Sequence, residues 1–179
     1  MKKDIEKLFQ KIKLLVLDVD GVLTKGEIIY SDKGREIKIF NVKDGLGVFL
    51  LGRMGIKTVI LTAKDGGIVR HRAKDMKVAE VIGGILPKEK MLPYITKKYK
   101  VKKDQVCFIA DDVIDIGVLK EVGLGVAVAD AASAAKRAAN YITKKKGGEG
   151  AVREVIDLIF KIQKMDKKLS QWLKRPNWD

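Results

Sequence analysis

One stretch constrains this chain more than any other: Leu14-Leu15-Val16-Leu17-Asp18-Val19-Asp20-Gly21-Val22-Leu23-Thr24. Its apolar half reads as a strand buried on both faces, as in a parallel sheet covered by helices. Two aspartates follow at positions i and i+2. In extended backbone such side chains point the same way, so Asp18 and Asp20 converge on one centre. Open α/β sheets bind ligands outside the carboxyl ends of their strands, which is where this pair would sit. Gly21 lets the chain turn tightly beside them. Two neighbouring carboxylates repel each other and attract a hard cation such as magnesium. One can then act as nucleophile and the other as acid and base. Taken alone, the run reads more readily as a plain turn after a strand. A calcium-binding loop of the D-x-D type fails, because Val22, Leu23 and Ile29 stand where it needs a ligand, a glycine and a glutamate.

The pattern continues along the chain. Segments 27–31 and 36–41, joined by Asp32-Lys33-Gly34, carry a hairpin signal. Helices are expected over 44–54, 67–76, 88–99, 113–122, 131–139 and 151–163. Strands are expected over 56–61, 78–82, 105–110, 124–128 and 141–142. Ile5, Leu8, Phe9 and Ile12 put one apolar face on an N-terminal helix, 1–12, which is no signal peptide. The expected class is α/β: a parallel sheet with helices on both faces and an inserted β-hairpin. A length of 179 residues suits one domain, 1–179, with a real core. In the tail, 164–179, Met165, Leu169, Trp172 and Leu173 recur at helical spacing.

The net charge of +14 raises the question of nucleic acid. The lysines are scattered, however, and the longest pure run is Lys144-Lys145-Lys146. No nucleic-acid-binding motif accompanies them, so a solvated basic surface is expected, with an anionic substrate adding local demand for positive charge. The single cysteine, Cys107, lies in an apolar run and excludes an internal disulfide framework. No apolar stretch reaches the length of a membrane span. A cytoplasmic protein without membrane partners is expected.

Three more sites fall at carboxyl ends of later strands. Thr62 follows Val59-Ile60-Leu61, Lys88 stands at a helix start, and Asp111-Asp112 follow an apolar strand with Asp115 three residues beyond. Singly these are a cap, a surface charge and a helix N-terminus. Together they supply the parts of phosphoryl transfer: nucleophile, metal carboxylates, a hydroxyl donor and a cation for phosphate oxygens.

In that order and placement the chain resembles the haloacid dehalogenase superfamily of aspartate-nucleophile phosphatases. D-x-D-G-V matches 18–22, the threonine motif Thr62, the lysine motif Lys88 and D-D-x-x-D the residues Asp111, Asp112 and Asp115. The segment from Gly26 through Lys38, Phe40, Asn41 and Asp44 to Gly47, with 147–155, resembles the small capless branch that contains 3-deoxy-D-manno-octulosonate 8-phosphate phosphatases. The gaps from Asp18 to Thr62 and from Thr62 to Lys88 are too short for a cap domain. The resemblance implies a three-layer Rossmann-like fold and a magnesium cofactor. It implies Asp18 as nucleophile, Asp20 as acid and base, Thr62 and Lys88 on phosphate, and metal held by Asp18, Asp111 and the backbone carbonyl of Asp20. Asp112 and Asp115 would orient the metal shell. Lys90 is the rival of Lys88, which is preferred because Leu92 and Ile95 follow it at helical spacing. Lys64, Arg72 and a neighbouring subunit's Glu149 are the candidates for gripping a sugar acid. It further implies a homotetramer around the hairpins, each 147–150 loop closing a neighbour's site.

Two departures stand out: Ala63-Lys64 replaces the usual Gly-Arg, and Ala110 replaces a glycine. Lysine lacks the planar fork of arginine. A nine-carbon keto-acid phosphate or another sugar phosphate therefore stays open beside the eight-carbon one; the +14 charge keeps a nucleic-acid end open, and a non-catalytic interaction domain on the same fold is the alternative of another class.

Overall fold

A computed structural model describes residues 3–175. The chain runs α1 (Lys3–Lys11), β1 (Leu14–Leu17), β2 (Ile29–Tyr30), β3 (Glu36–Ile37), α2 (Val42–Arg53), β4 (Lys57–Thr62), α3 (Gly67–Asp75) and β5 (Glu80–Gly83). It continues with α4 (Leu92–Tyr99), β6 (Val106–Ala110), α5 (Ile116–Glu121), β7 (Leu124–Ala127), α6 (Ser133–Ala138), β8 (Tyr141–Ile142), α7 (Ala151–Ile162) and α8 (Asp166–Leu173). Short 3-10 turns precede α4, β6 and α5.

Six strands form one parallel sheet in the order β5-β4-β1-β6-β7-β8. Its central strands, β1, β4 and β6, are almost wholly buried, which is why they read as unbroken apolar runs. Helices α1, α2, α3 and α7 pack together on one side, and α4, α5 and α6 lie on the other. This is the three-layer arrangement expected. β1 is central, with strands added outward on either side, so the chain reverses direction beside it. The carboxyl ends of β1, β4 and β6 open onto one crevice there.

The hairpin stands apart as a two-stranded antiparallel sheet, β2 with β3. Its paired region is shorter than the alternating segments 27–31 and 36–41. Ile28, Ile29, Tyr30, Ile37 and Ile39 are exposed. Phe40 is not part of that apolar surface: it packs against the core, and the Arg72 guanidinium lies 5.7 Å from its ring centre.

The tail folds back on its own subunit. Trp172 is buried edge-on to Phe49 at 5.7 Å between ring centres, and Met165 and Leu169 pack against the core. Residues 1–2 of the expected N-terminal helix and 176–179 of the tail lie outside the described residues.

Candidate active site

The register of the sheet assembles the site. Leu17 on β1 lies opposite Ile60 of β4 and Ile109 of β6. Thr62 and Asp111 are each two residues further on, so they flank the Asp18–Asp20 segment from either side. Asp18 extends the ladder by one rung, its N–H donating to the Ile109 carbonyl at 3.1 Å. Beyond it the chain turns through Gly21, whose φ of +79° belongs to the left-handed region. A Cβ at Gly21 would overlap the Asp111 carboxylate, so glycine is required here twice over. The Thr24 hydroxyl accepts from the Gly21 and Gly26 N–H groups at 3.3 and 3.2 Å and closes the turn.

Lys88 is the centre of the site. It is fully buried, and its ammonium lies 2.9 Å from Asp18 and 2.7 Å from Asp115. Lys88, and not the exposed Lys90, therefore meets the carboxylates, from a 3-10 turn and not from the α-helix itself. Oxygens of Asp18, Asp111 and Asp115 come within 4.8 Å of one another. Burial pushes the Asp18 carboxyl up to about 7, with Lys88 opposing and Asp115 adding to the rise. Asp111 is likewise pushed up to about 7 by burial, reinforced by Asp115 and Asp112. Asp115 rises through burial against the pull of Lys88. For Lys88 burial works downward, but the two carboxylates outweigh it and hold the ammonium above its ordinary range.

This donor set suits a hard divalent cation. It offers only oxygens, it repels itself, and Asp115 Oδ2 is buried without a hydrogen-bond partner among the described residues.

Other expected residues are placed differently. Asp115 belongs inside the carboxylate cluster. Asp112 does not: it is exposed and caps the following turn, accepting from the Val113 N–H at 2.6 Å. The Asp20 side chain is outside the cluster too, paired with Lys38. Thr62 is buried at the end of β4, its hydroxyl accepting from the Lys64 N–H at 3.3 Å. Lys64 reaches Glu36 at 2.9 Å.

Arg72 lies over Phe40 and donates to the Asn41 carbonyl at 3.3 Å, with Asp75 3.9 Å from its guanidinium. Glu149 pairs with Lys25 of its own chain at 3.0 Å. Its loop is bonded in the same way, Gly148 N–H to the Val22 carbonyl at 2.9 Å and Gly147 N–H to Asp130 at 3.0 Å. The 147–150 loop thus buttresses the Gly21 turn of its own subunit.

Lys38 is the residue whose place in the site the sequence reading missed. A signal existed. In 36–39 polar and apolar residues alternate, so Glu36 and Lys38 share one face and Ile37 and Ile39 the other.

Comparison with known proteins agrees with this geometry. Residues 60–156 match the haloacid dehalogenase-like hydrolase family. The 3-deoxy-D-manno-octulosonate 8-phosphate phosphatase of Yersinia pestis is 38% identical over 162 residues, covering 89% of this chain and 86% of its own. The enzyme of that name from Escherichia coli BL21-DE3 is 37% identical, covering 94% of this chain and 90% of its own. A crystal structure of the Moraxella catarrhalis phosphatase, in complex with magnesium, phosphate and KDO, superposes with a TM-score of 0.92 at 36% identity. That match covers 97% of this chain and 100% of the other.

Proposed function

This chain belongs to the haloacid dehalogenase-like hydrolases, and from that premise we propose that it hydrolyses 3-deoxy-D-manno-octulosonate 8-phosphate to the free sugar acid and phosphate. The reaction serves lipopolysaccharide precursor synthesis in the cytoplasm. The protein is a magnesium-dependent phosphatase, with the whole chain as one catalytic domain and no cap. The observation that carries the reading is the buried Lys88 ammonium between Asp18 and Asp115 at the mouth of β1.

Asp18 is the nucleophile. Its carboxylate attacks phosphorus, the bond from phosphorus to the sugar oxygen breaks, and an aspartyl-phosphate forms. Asp20 protonates the departing oxygen and then takes a proton from the water that cleaves the aspartyl-phosphate. Lys88 touches the Asp18 carboxylate, so its charge lies beside the atom that phosphorus approaches, and with Thr62 it stabilises the transferring group. Asp18, Asp111 and the Asp20 carbonyl would hold magnesium, with Asp115 beside them. Bound there, the ion neutralises phosphate charge. Burial favours protonated Asp18 and Asp111 over the charged forms; a cation reverses that preference.

The resemblance leads to an arginine where Lys64 stands, and that departure keeps a nine-carbon keto-acid phosphate as the second reading. The exposed apolar hairpin supports a homotetramer built on that surface. Specific nucleic-acid binding is not part of the proposal.

The test is a panel assayed with magnesium: the eight- and nine-carbon keto-acid phosphates and a 3'-phosphorylated oligonucleotide. The eight-carbon ester should give the highest kcat/KM, and excess chelator should abolish turnover. A preference for the oligonucleotide, or full activity in chelator, would overturn the reading.

A further inference from the structure

The inward face of the hairpin reaches the reacting groups. Glu36 and Lys38 point into the cleft while Ile37 and Ile39 point out of it. The Lys38 side chain is only 5% exposed, unusual for a lysine on a two-stranded hairpin. Its ammonium pairs with Asp20 Oδ1 and lies 3.1 Å from Glu36. Glu36 in turn holds Lys64. A chain of alternating charges therefore runs Asp20, Lys38, Glu36, Lys64, from the first motif through the hairpin to the loop after β4. A buried ammonium is costly unless paired, and Lys38 has two carboxylates for that purpose.

The Asp20 carboxylate is 43% exposed, so packing alone does not fix its rotamer. Asp18, by contrast, is held by Lys88 within a buried cluster. Among the described residues, the group that must meet the sugar oxygen has one ion-pair partner, Lys38, and it comes from the hairpin. General acid catalysis needs the donor within hydrogen-bond reach of the departing atom, and small displacements are expensive.

We propose that Lys38 is a positioning residue: anchored by Glu36, it holds Asp20 Oδ1 and so orients the protonated carboxyl group whose other oxygen delivers its proton to the sugar oxygen. The hairpin is then a catalytic element as well as an exposed apolar surface. The inference rests on the acid and base role of Asp20 proposed above.

The test compares two leaving groups. A sugar alkoxide must be protonated as it departs, whereas 4-nitrophenolate leaves without help. Lys38→Met should lower the ratio of kcat/KM on the sugar phosphate to kcat/KM on 4-nitrophenyl phosphate, which reports the step in which the leaving group departs, by about tenfold or more, the lower end of what a lost general acid costs being about a hundredfold. Lys38→Arg, which keeps the charge, should restore part of the ratio. Glu36→Gln, which removes one anchor and leaves Lys38 in place, should lower it by about threefold, and serves if Lys38→Met does not fold. Equal losses on both substrates, or none, would overturn the proposal, because a purely structural role cannot distinguish leaving groups. Asp20→Asn is the control. If it leaves the ratio unchanged, the acid and base assignment itself has failed, and Lys38 falls with it.

Discussion

Replacing Lys88 with methionine isolates the electrostatics of the site from its packing. Methionine is unbranched and of similar length, so little cavity is created in a position with no exposure at all. What disappears is the counter-charge of two buried carboxylates, Asp18 at 2.9 Å and Asp115 at 2.7 Å. Removing one partner of a buried ion pair costs roughly 3–5 kcal/mol, because the other charge stays buried without compensation. For a chain of this size each kcal/mol moves Tm by about 2–4 °C, so a loss near 4 kcal/mol lowers Tm by roughly 8–16 °C.

The loss should depend on pH. Without Lys88, which opposes the rise at Asp18 and Asp115, both carboxyls hold protons more readily, so the penalty grows as pH rises and they are forced to ionise. At pH 5.5 Asp18, already raised to about 7 by burial, takes up a proton and relieves the repulsion. Thermal melts in chelator at both pH values give the measurement, and added magnesium should recover part of Tm at pH 8 by supplying the missing positive charge. A variant melting within about 2 °C of the parent at pH 8 would refute the reasoning, since Lys88 would then not be neutralising these carboxylates.

Asp18→Asn should fold normally and lose turnover; activity within about tenfold of the parent would remove the nucleophile assignment, because a factor of ten is only about 1.4 kcal/mol. In chelator, Asp18 and Asp111 have folded-state values near 7, well above the unfolded carboxylate range. The folded state therefore binds more protons between about pH 4 and 7, and stability should fall as pH rises through that window; denaturant midpoints that rise instead would contradict it. Magnesium should stabilise the protein more at pH 8 than at pH 5.5, where protons compete for the same oxygens. Ile37→Asp with Ile39→Asp should dissociate the assembly in sedimentation velocity while leaving the melting of the isolated subunit nearly unchanged, because both side chains are exposed.

Much of this protein follows from one-dimensional pattern. The apolar runs ending at Asp18, Thr62 and Asp111 can only be buried strands, and parallel strands place their carboxyl ends together. That argument alone brings three motifs far apart in the chain to one crevice. The alternation in 36–39 likewise marks a hairpin with two unlike faces.

Contact between side chains is another matter, because it depends on how elements pack in three dimensions. Asp112 and Asp115 are indistinguishable as sequence; the 3-10 turn after β6 points one outward as a cap and the other into the cluster. The C-terminal stripe could equally have faced a partner, and only the turn after α7 lays Trp172 on Phe49. The Gly147–Gly148 backbone meets the Gly21 turn across more than a hundred residues. The alternation in 36–39 puts Lys38 on the polar face beside Glu36, but only the folded hairpin sets its ammonium against Asp20. Periodicity records which face of an element is buried, whereas the partner that buries it is chosen by the tertiary fold.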